Sequence, residues 1–158
     1  MNHIYLSLGS NIEPEKHLRY AMAALAQHFS DIESSPVYET PAFGFSGPCF
    51  LNSVVAAYTD QTITEVIATL KAIEVEQGRQ RQQEKFSSRT LDIDLLLYND
   101  CVTTRPIVLP REEIYHRSFV LKPLSDLAPH KVDPVLKTTY LELWASFEGS
   151  RQLKTVTF

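Results

Sequence analysis

Hydrophobic residues recur along this chain with two different periods. Near the start they occupy every second position, at Ile4, Leu6 and Leu8, which predicts a strand that ends at Gly9-Ser10-Asn11. From Pro14 onward they recur every three or four positions, which predicts an amphipathic helix. The apolar positions of this helix are Leu18, Met22, Leu25 and Phe29.

The same two periods predict the rest of the fold. Strands are expected over residues 32–39, 50–58 and 91–98, and a second helix begins with a Thr62–Glu65 capping box and continues to about Gly78. This order is that of the ferredoxin-like split βαβ arrangement. A strand near 106–110, short helices over 118–128 and 138–147, and an edge strand within the tail 152–158 follow. The predicted fold class is α+β, with an antiparallel sheet and helices on both of its faces.

Length and composition indicate one ordinary globular domain over residues 1–158. Hydrophobic residues make up 44% of the chain and charged residues 22%, which excludes the disordered and fibrous classes. No apolar run approaches the roughly 20 residues of a membrane helix. The N-terminus lacks a basic leader, and Cys49 and Cys101 make no disulfide framework, so we expect a cytoplasmic protein.

The formal net charge of −4 argues against a nucleic-acid partner, yet the cations are unevenly placed. Residues 79–122 hold eight lysines and arginines against six acidic residues. Within this range, residues 79–90 have no apolar periodicity and are expected to form a mobile basic loop. A local cationic segment on an acidic chain suits a small polyanion such as a nucleotide, although a solvated surface would carry the same charges.

The strand predicted over 91–98 carries two carboxylates on one face. Asp92 and Asp94 are two residues apart and therefore point the same way. The opposite face is apolar, at Leu91, Ile93, Leu95 and Leu97. Two unpaired carboxylates are costly to bury in so apolar a strand, so we expect a cation beside them. Either Mg²⁺ ions bridge them to phosphate oxygens, or Arg89 and a neighbouring cation pair with them structurally.

Two further features leave alternatives open. The loop 40–49 combines two prolines and two glycines with two phenylalanines, whose rings either pin the loop to the core or face a flat ligand. Glu74, on the core side of the second helix, either pairs with Arg79 or Arg81 or orients a pocket. Glycine-rich phosphate cradles are absent from the sequence, so arginines and metal ions would have to bind any phosphate.

Three motifs together resemble the 6-hydroxymethyl-7,8-dihydropterin pyrophosphokinase family. They are Gly9-Ser10-Asn11, the run RTLDIDLLLY at 89–98 and the run RSFVLKPL at 117–124, and the match spans residues 1 to about 130. The resemblance implies a folate-pathway enzyme that moves pyrophosphate from ATP to the pterin hydroxymethyl group and releases AMP. We therefore expect small-molecule substrates, a monomer, and neither a nucleic-acid nor a membrane partner.

The resemblance also implies roles for particular residues. Asp92 and Asp94 would hold two Mg²⁺ ions, and with Arg79 and Arg89 they would form the catalytic set, acting by positioning and charge neutralisation. The residues implied in pterin binding are Thr40, Pro41, Phe43, Gly44, Phe50, Asn52 and Phe119. The residues implied in ATP binding are Arg79, Arg81, Phe86, Arg89, Leu95, Arg111 and Arg117.

Two positions depart from the family pattern. Ser87-Ser88 stand where the family usually has glycine before the motif arginine, and Arg111 stands where a histidine commonly follows the proline. Arg111 can still pair with phosphate, but it keeps its charge near neutral pH. The alternative to an active enzyme is a paralogue that binds nucleotide or pterin without efficient transfer. An RNA-binding module on the same fold would need a basic sheet face, which the acidic balance disfavours.

Overall fold

The computed structural model of the protein describes residues 1–42, 46–78 and 90–157. Within these ranges the chain forms six strands and five helices, and none of these helices has the length and apolar character that crossing a membrane requires. In chain order the elements are β1 (Asn2–Ser10), α1 (Pro14–His28), β2 (Ser30–Ser34), β3 (Val37–Thr40), β4 (Phe50–Thr59), α2 (Ile63–Glu76), β5 (Asp92–Tyr98), α3 (Glu113–His116), α4 (Ser118–Leu127), α5 (Tyr140–Ala145) and β6 (Lys154–Val156).

The described strands form one sheet in the order β5-β1-β4-β3-β6, with β2 also paired to β4. Every pair is antiparallel. β1 and β4 lie next to each other in the sheet, and β1 pairs along its whole length, from Asn2 opposite Thr59 to Ser10 opposite Leu51. This is the strand order of the split βαβ arrangement, so the predicted ferredoxin-like α+β fold is confirmed.

Each face of the sheet is covered by helices, as the sequence predicts. On one face α1 and α2 pack against Ile4, Leu6 and Val55. The buried residues that these two helices contribute include Leu18, Leu25, Val66, Leu70 and Ile73. On the other face α3, α4 and α5 cover Tyr5 and Val54. Their buried residues include Ile114, Leu121, Leu124 and Tyr140.

The single strand predicted over 32–39 is wrong, because the chain forms two strands there, β2 and β3. Pro36 has no N–H to give to a ladder, so it interrupts the strand. Ser35 pairs with β4 at the break, since its N–H donates to the Val54 carbonyl at 2.9 Å and its Oγ accepts from the Val54 N–H at 2.9 Å. Both strands therefore lie along the same side of β4.

The strand predicted near 106–110 is also wrong. These residues, all of them described, make a single bridge, between Thr103 and Leu109. Pro106 and Pro110 lack the N–H that a continuous ladder requires. The helix α3 is not predicted by the sequence, because its four residues are too few to show a helical period.

Leu97 lies on the face opposite to the one predicted. The register of β1 with β5 shifts between Tyr5 and Leu6, and this bulge turns Leu96 and Leu97 toward the same side of the sheet. Leu91, Ile93 and Leu95 keep the predicted face, toward α1 and α2. Because the bulge lies beyond Asp94, it does not separate the two aspartates, which remain on one face.

The remaining predicted elements are confirmed with small changes at their ends. The predicted helices over 118–128 and 138–147 are α4 and α5, and the tail supplies the edge strand β6, with Val156 opposite Val37 of β3. α2 begins with the predicted capping box. The Thr62 hydroxyl accepts from the Glu65 N–H at 3.2 Å, and the Glu65 carboxylate accepts from the Thr62 N–H at 2.9 Å.

A buried carboxylate ties α3 and α5 of the second layer together. Asp133 is fully buried and accepts hydrogen bonds from the Tyr140 hydroxyl at 2.8 Å and the Tyr115 hydroxyl at 2.9 Å. It also accepts from the N–H groups of Val135 and Leu136. A buried carboxylate needs such donors to offset its lost hydration. The packing of α3 and α5 therefore depends on this acid and its two phenols.

We predict that Tyr140→Phe lowers the free energy of unfolding by about 2 kcal/mol, because it removes a hydrogen bond to a buried charged group. Urea unfolding at neutral pH measures this change. Tyr58→Phe is the matched control, since Tyr58 is 36% exposed, and its stability should stay within about 0.5 kcal/mol of the unmodified chain. Equal losses in the two variants would contradict the role given to Asp133.

The raised pKa of the Tyr140 phenol predicts a loss of folding stability in alkali. Burial, reinforced by the bond to Asp133, raises the pKa of Tyr140 above its ordinary value of 10.0. The unfolded chain therefore releases this proton at a lower pH than the folded chain, and folding stability falls as the pH rises above about 10. Urea unfolding from pH 8 to 11 should show a shallower decline for Tyr140→Phe than for the unmodified chain.

Candidate active site

A cavity of about 580 Å³ opens where β1 ends and β5 begins. The neighbouring strands β4, β1 and β5 supply part of its lining, and α2 supplies a second part. The rest comes from the end of β3 and from residues between Ile107 and Val120. Its volume lies within the range of pockets that hold small molecules and cofactors.

One row of residues runs across the sheet beneath this cavity. Asn52 of β4 lies opposite Gly9 of β1, and Gly9 lies opposite Asp92 of β5. Neighbouring strands are about 4.8 Å apart, so Asn52 and Asp92 stand about 10 Å apart on the same face. A Cβ atom on Gly9 would lie 3.1 Å from Asn52 Oδ1. The glycine therefore leaves room for the asparagine amide between the two strands.

The end of the row at β4 holds an oriented amide and an aromatic ring. Asn52 is buried, and its Nδ2 donates to the Thr40 hydroxyl at 2.9 Å. Phe50 lies opposite Thr40 in the β3–β4 pairing and lines the cavity, as does Phe119 of α4. This end of the cavity therefore combines aromatic surface with a fixed polar group, a combination that suits a flat heterocycle with polar edges.

Tyr38 fixes β3 behind this end of the cavity. It lies opposite Asn52 and is buried, and its hydroxyl donates to Asp126 of α4. Burial and the Asp126 carboxylate raise the pKa of the phenol, so Tyr38 stays a neutral donor. Lys122 pairs with the same carboxylate at 2.7 Å. These contacts hold β3, and with it Thr40, against α4.

The end of the row at β5 holds the two carboxylates. Asp92 and Asp94 are both half-buried and line the cavity, and Ser7 lies opposite Asp94 in β1. Arg111 Nη2 lies 3.2 Å from Asp94 Oδ1, and Arg111 Nε lies 3.1 Å from Glu113 Oε2. A cation therefore does accompany the acidic pair. One such cation is the guanidinium of Arg111, which comes from a later segment of the chain.

Glu74 fixes the edge of β5 between the two aspartates. Its side chain is buried, and Oε2 accepts a hydrogen bond from the Ile93 N–H at 2.8 Å. β5 is the last strand on its side of the described sheet, so this N–H points away from β1. Three residues further on, the Leu96 carbonyl accepts from the Arg111 N–H at 3.0 Å. The strand that presents the carboxylates is thus held by β1 on one edge and by Glu74 and Arg111 on the other.

The pair of aspartates fits a magnesium site that is completed by phosphate. Among the described residues no group of three or more histidine, cysteine, aspartate or glutamate side chains could hold a metal by itself. Mg²⁺ does not need one, because it usually takes one or two carboxylates together with substrate phosphates and water. The all-oxygen donors of Asp92 and Asp94 match that preference.

The cavity brings together ten residues that the sequence predicts for the site. These are Thr40, Pro41, Phe50, Asn52, Asp92, Asp94, Leu95, Arg111, Arg117 and Phe119. The other six predicted residues lie outside the described ranges. They are Phe43, Gly44, Arg79, Arg81, Phe86 and Arg89. The predicted mobile loop, residues 79–90, lies outside the described ranges as well, except for Thr90.

Sequence reasoning misses several residues that line the cavity. On α2 these are Ile67, Leu70 and Lys71, which by their helical spacing share one side of the helix with Glu74, the residue that the sequence does single out. That spacing is visible in the sequence, but nothing in it indicates that this side of α2 faces the acidic strand. Lys71 is an exposed lysine in this set and adds a cation to the cavity wall. Ile107 and Glu113 come from segments with no periodic signal.

The sequence profile of the family described as 7,8-dihydro-6-hydroxymethylpterin-pyrophosphokinase (HPPK) matches residues 5–129. A Bacillus subtilis 2-amino-4-hydroxy-6-hydroxymethyldihydropteridine pyrophosphokinase is 38% identical over 133 residues, which cover 80% of this chain and 79% of the relative. The protein of the same name from Aquifex aeolicus is 34% identical over 139 residues, which cover 85% of each chain.

Solved structures are similar to this chain in their fold. A crystal structure of Plasmodium falciparum HPPK-DHPS superposes with a TM-score of 0.73 at 15% identity, and the match covers 93% of this chain and 44% of that one. This likeness supports the ferredoxin-like fold alone. The profile match and the sequence relatives go further. The chain belongs to the 7,8-dihydro-6-hydroxymethylpterin pyrophosphokinase family, as its three motifs predict.

Proposed function

We propose that this chain transfers pyrophosphate from ATP to 6-hydroxymethyl-7,8-dihydropterin in folate biosynthesis, the reaction after which its family is named. The acceptor hydroxyl oxygen bonds to the β-phosphorus, and the bond from that phosphorus to the bridging oxygen of AMP breaks as the hydroxyl proton leaves. One observation carries the proposal beyond family membership. Asn52 and the Asp92–Asp94 pair rise into one cavity, so an acceptor end and a phosphate end adjoin.

The acceptor end is proposed to bind the pterin. Asn52 would hydrogen-bond the polar edge of the ring, while Phe50 and Phe119 would cover its faces. Thr40 fixes the amide of Asn52 and, with Pro41, bounds the site. Phe43 and Gly44 belong to the same proposed site through the resemblance. The interaction follows general chemistry, since offset stacking and paired polar groups select flat heterocycles.

The phosphate end is proposed to bind ATP and two Mg²⁺ ions. Asp92 and Asp94 would hold the metal, which when bound neutralises charge on the phosphates and on the attacking oxygen. Arg111, Arg117 and Lys71 bring cations to the same cavity, and the resemblance adds Arg79, Arg81, Phe86 and Arg89. Leu95 lies among apolar residues of α2 and Ile107, a setting that suits the nucleobase. Catalysis would then rest on positioning and charge neutralisation.

We further propose that the chain acts as a monomer in the cytoplasm. Cys49 and Cys101 are free thiols, which suits a reducing compartment. Assaying the purified chain with ATP, Mg²⁺ and 6-hydroxymethyl-7,8-dihydropterin tests the reaction itself. Formation of AMP and the pterin diphosphate in equal amounts supports it, and tight substrate binding without AMP identifies the weakened paralogue instead.

We predict that Asp92→Asn and Asp94→Asn each lower kcat/KM for AMP formation by at least about 100-fold, because each removes a charged ligand from the proposed metal site. Asp60→Asn is the matched control, since Asp60 is an exposed aspartate outside the cavity, and its rate should change less than about twofold. Circular dichroism checks that the three variants keep the fold. Turnover unchanged in both cavity variants would contradict the proposed mechanism.

We predict that Asn52→Ala raises KM for the pterin about tenfold and leaves KM for ATP within about twofold, because the amide is proposed to contact only the acceptor. Steady-state kinetics with each substrate varied in turn measures both values. Asn2→Ala, at the opposite end of the sheet, should change neither. If Asn52→Ala raised the two KM values equally, the amide would be supporting the whole site rather than recognising the acceptor.

A further inference from the structure

Within the part of the chain that the structure describes, three contacts hold Arg111 in place, two of them to acidic side chains. Its N–H donates to the Leu96 carbonyl at 3.0 Å, which anchors the residue beside β5 two positions beyond Asp94. Its Nη2 contacts Asp94 Oδ1 at 3.2 Å, and its Nε contacts Glu113 Oε2 at 3.1 Å. The guanidinium therefore spans the space between the proposed metal ligand Asp94 and Glu113, the carboxylate behind it.

The contact between Arg111 and Asp94 disfavours metal binding at Asp94. A metal ion bound to Asp94 would lie close to this guanidinium, and a guanidinium and a divalent cation repel each other when they share one carboxylate. Side-chain exposures of 29% for Arg111 and 35% for Asp94 mean that solvent screens this contact only in part. A metal ion that reached Asp94 without nucleotide would have to share the carboxylate with the guanidinium or displace it.

We infer that Arg111 couples metal binding to nucleotide binding, an inference that rests on the proposed function. In the absence of nucleotide, its guanidinium occupies Asp94 and disfavours the metal. When ATP enters, the phosphates offer the guanidinium several anionic oxygens in a forked geometry, a stronger partner than one carboxylate. Nη2 then leaves Asp94 for phosphate, and the guanidinium no longer competes at that carboxylate with the metal that accompanies ATP.

The contact with Glu113 allows the Arg111 guanidinium to change partner from Asp94 to phosphate by a small movement. Its carboxylate contacts Nε, the guanidinium nitrogen nearest the chain, whereas Asp94 contacts the terminal Nη2. The contact to Glu113 and the backbone bond to Leu96 can persist while the terminal nitrogens change partner. Arg111 is therefore a positioning residue whose two alternative anions are Asp94 and phosphate. By linkage, the metal tightens nucleotide binding by the same factor by which nucleotide tightens metal binding.

Binding of Mn²⁺ provides the test, since Mn²⁺ prefers the same oxygen ligands as Mg²⁺ and is detected directly by electron paramagnetic resonance. Without nucleotide, Arg111→Gln should bind Mn²⁺ about tenfold more tightly than the unmodified chain, because a competing cation is gone. Lys16→Gln removes the same charge from an exposed pair outside this cavity and should bind Mn²⁺ as the unmodified chain does. Equal Mn²⁺ affinity in all three proteins would overturn the inference.

The complex of Mn²⁺ with a non-hydrolysable ATP analogue should respond in the opposite direction. Calorimetry should show Arg111→Gln binding this complex at least about threefold more weakly, because the phosphate contact is lost. The exchange is supported if Arg111→Gln raises the affinity for Mn²⁺ alone and lowers the affinity for the Mn²⁺–nucleotide complex. Weaker binding of both would make Arg111 a general part of the site, and tighter binding of both would make it only an obstacle, so either result overturns the inference.

Asp94→Asn separates this inference from the proposed function. If the gain runs through Asp94, the double variant Asp94→Asn with Arg111→Gln should lose the tenfold increase in Mn²⁺ affinity. If Asp94→Asn weakens binding of the Mn²⁺–analogue complex but Arg111→Gln alone gains no Mn²⁺ affinity, only the coupling fails. If Asp94→Asn leaves binding of that complex unchanged, the metal site of the proposed function fails as well.

Discussion

Two like charges on one face of a β-strand form the constraint on which this site depends. Asp92 and Asp94 stand side by side on β5 with an apolar face behind them, so a cation must accompany them. The surrounding elements meet this need without covering the pair. Glu74 fixes the strand edge from α2, Arg111 approaches along the same edge, and both carboxylates line the cavity that the described residues form.

The order of elements could be predicted from the sequence because hydrophobic periodicity reports which face of each element is buried. Alternation in β1 and the apolar stripes of α1 and α2 identify the split βαβ core directly. The errors arise where a single residue changes the hydrogen bonding. Pro36 divides one predicted strand into two, and a bulge beside Leu6 reverses the side that Leu97 faces. Periodicity carries no signal for either event.

The candidate site could be predicted only where its residues lie in recognisable motifs. The acidic pair and Phe119 belong to such motifs, and the cavity gathers them with the other described predictions. Contacts made across the fold could not be predicted. Glu74 meets the Ile93 N–H because α2 packs against β5, and Arg111 reaches Asp94 because its segment runs back along the strand. Both depend on tertiary packing rather than on local sequence.

The most direct test of the central claim is the location of metal in a crystal grown with Mn²⁺, a non-hydrolysable ATP analogue and the pterin. Anomalous scattering locates Mn²⁺ independently of any assumed site. We predict peaks within about 2.2 Å of carboxylate oxygens of both Asp92 and Asp94, with phosphate oxygens completing the coordination of the metal. Peaks elsewhere, with the two carboxylates still paired to arginine side chains beside a bound nucleotide, would contradict it.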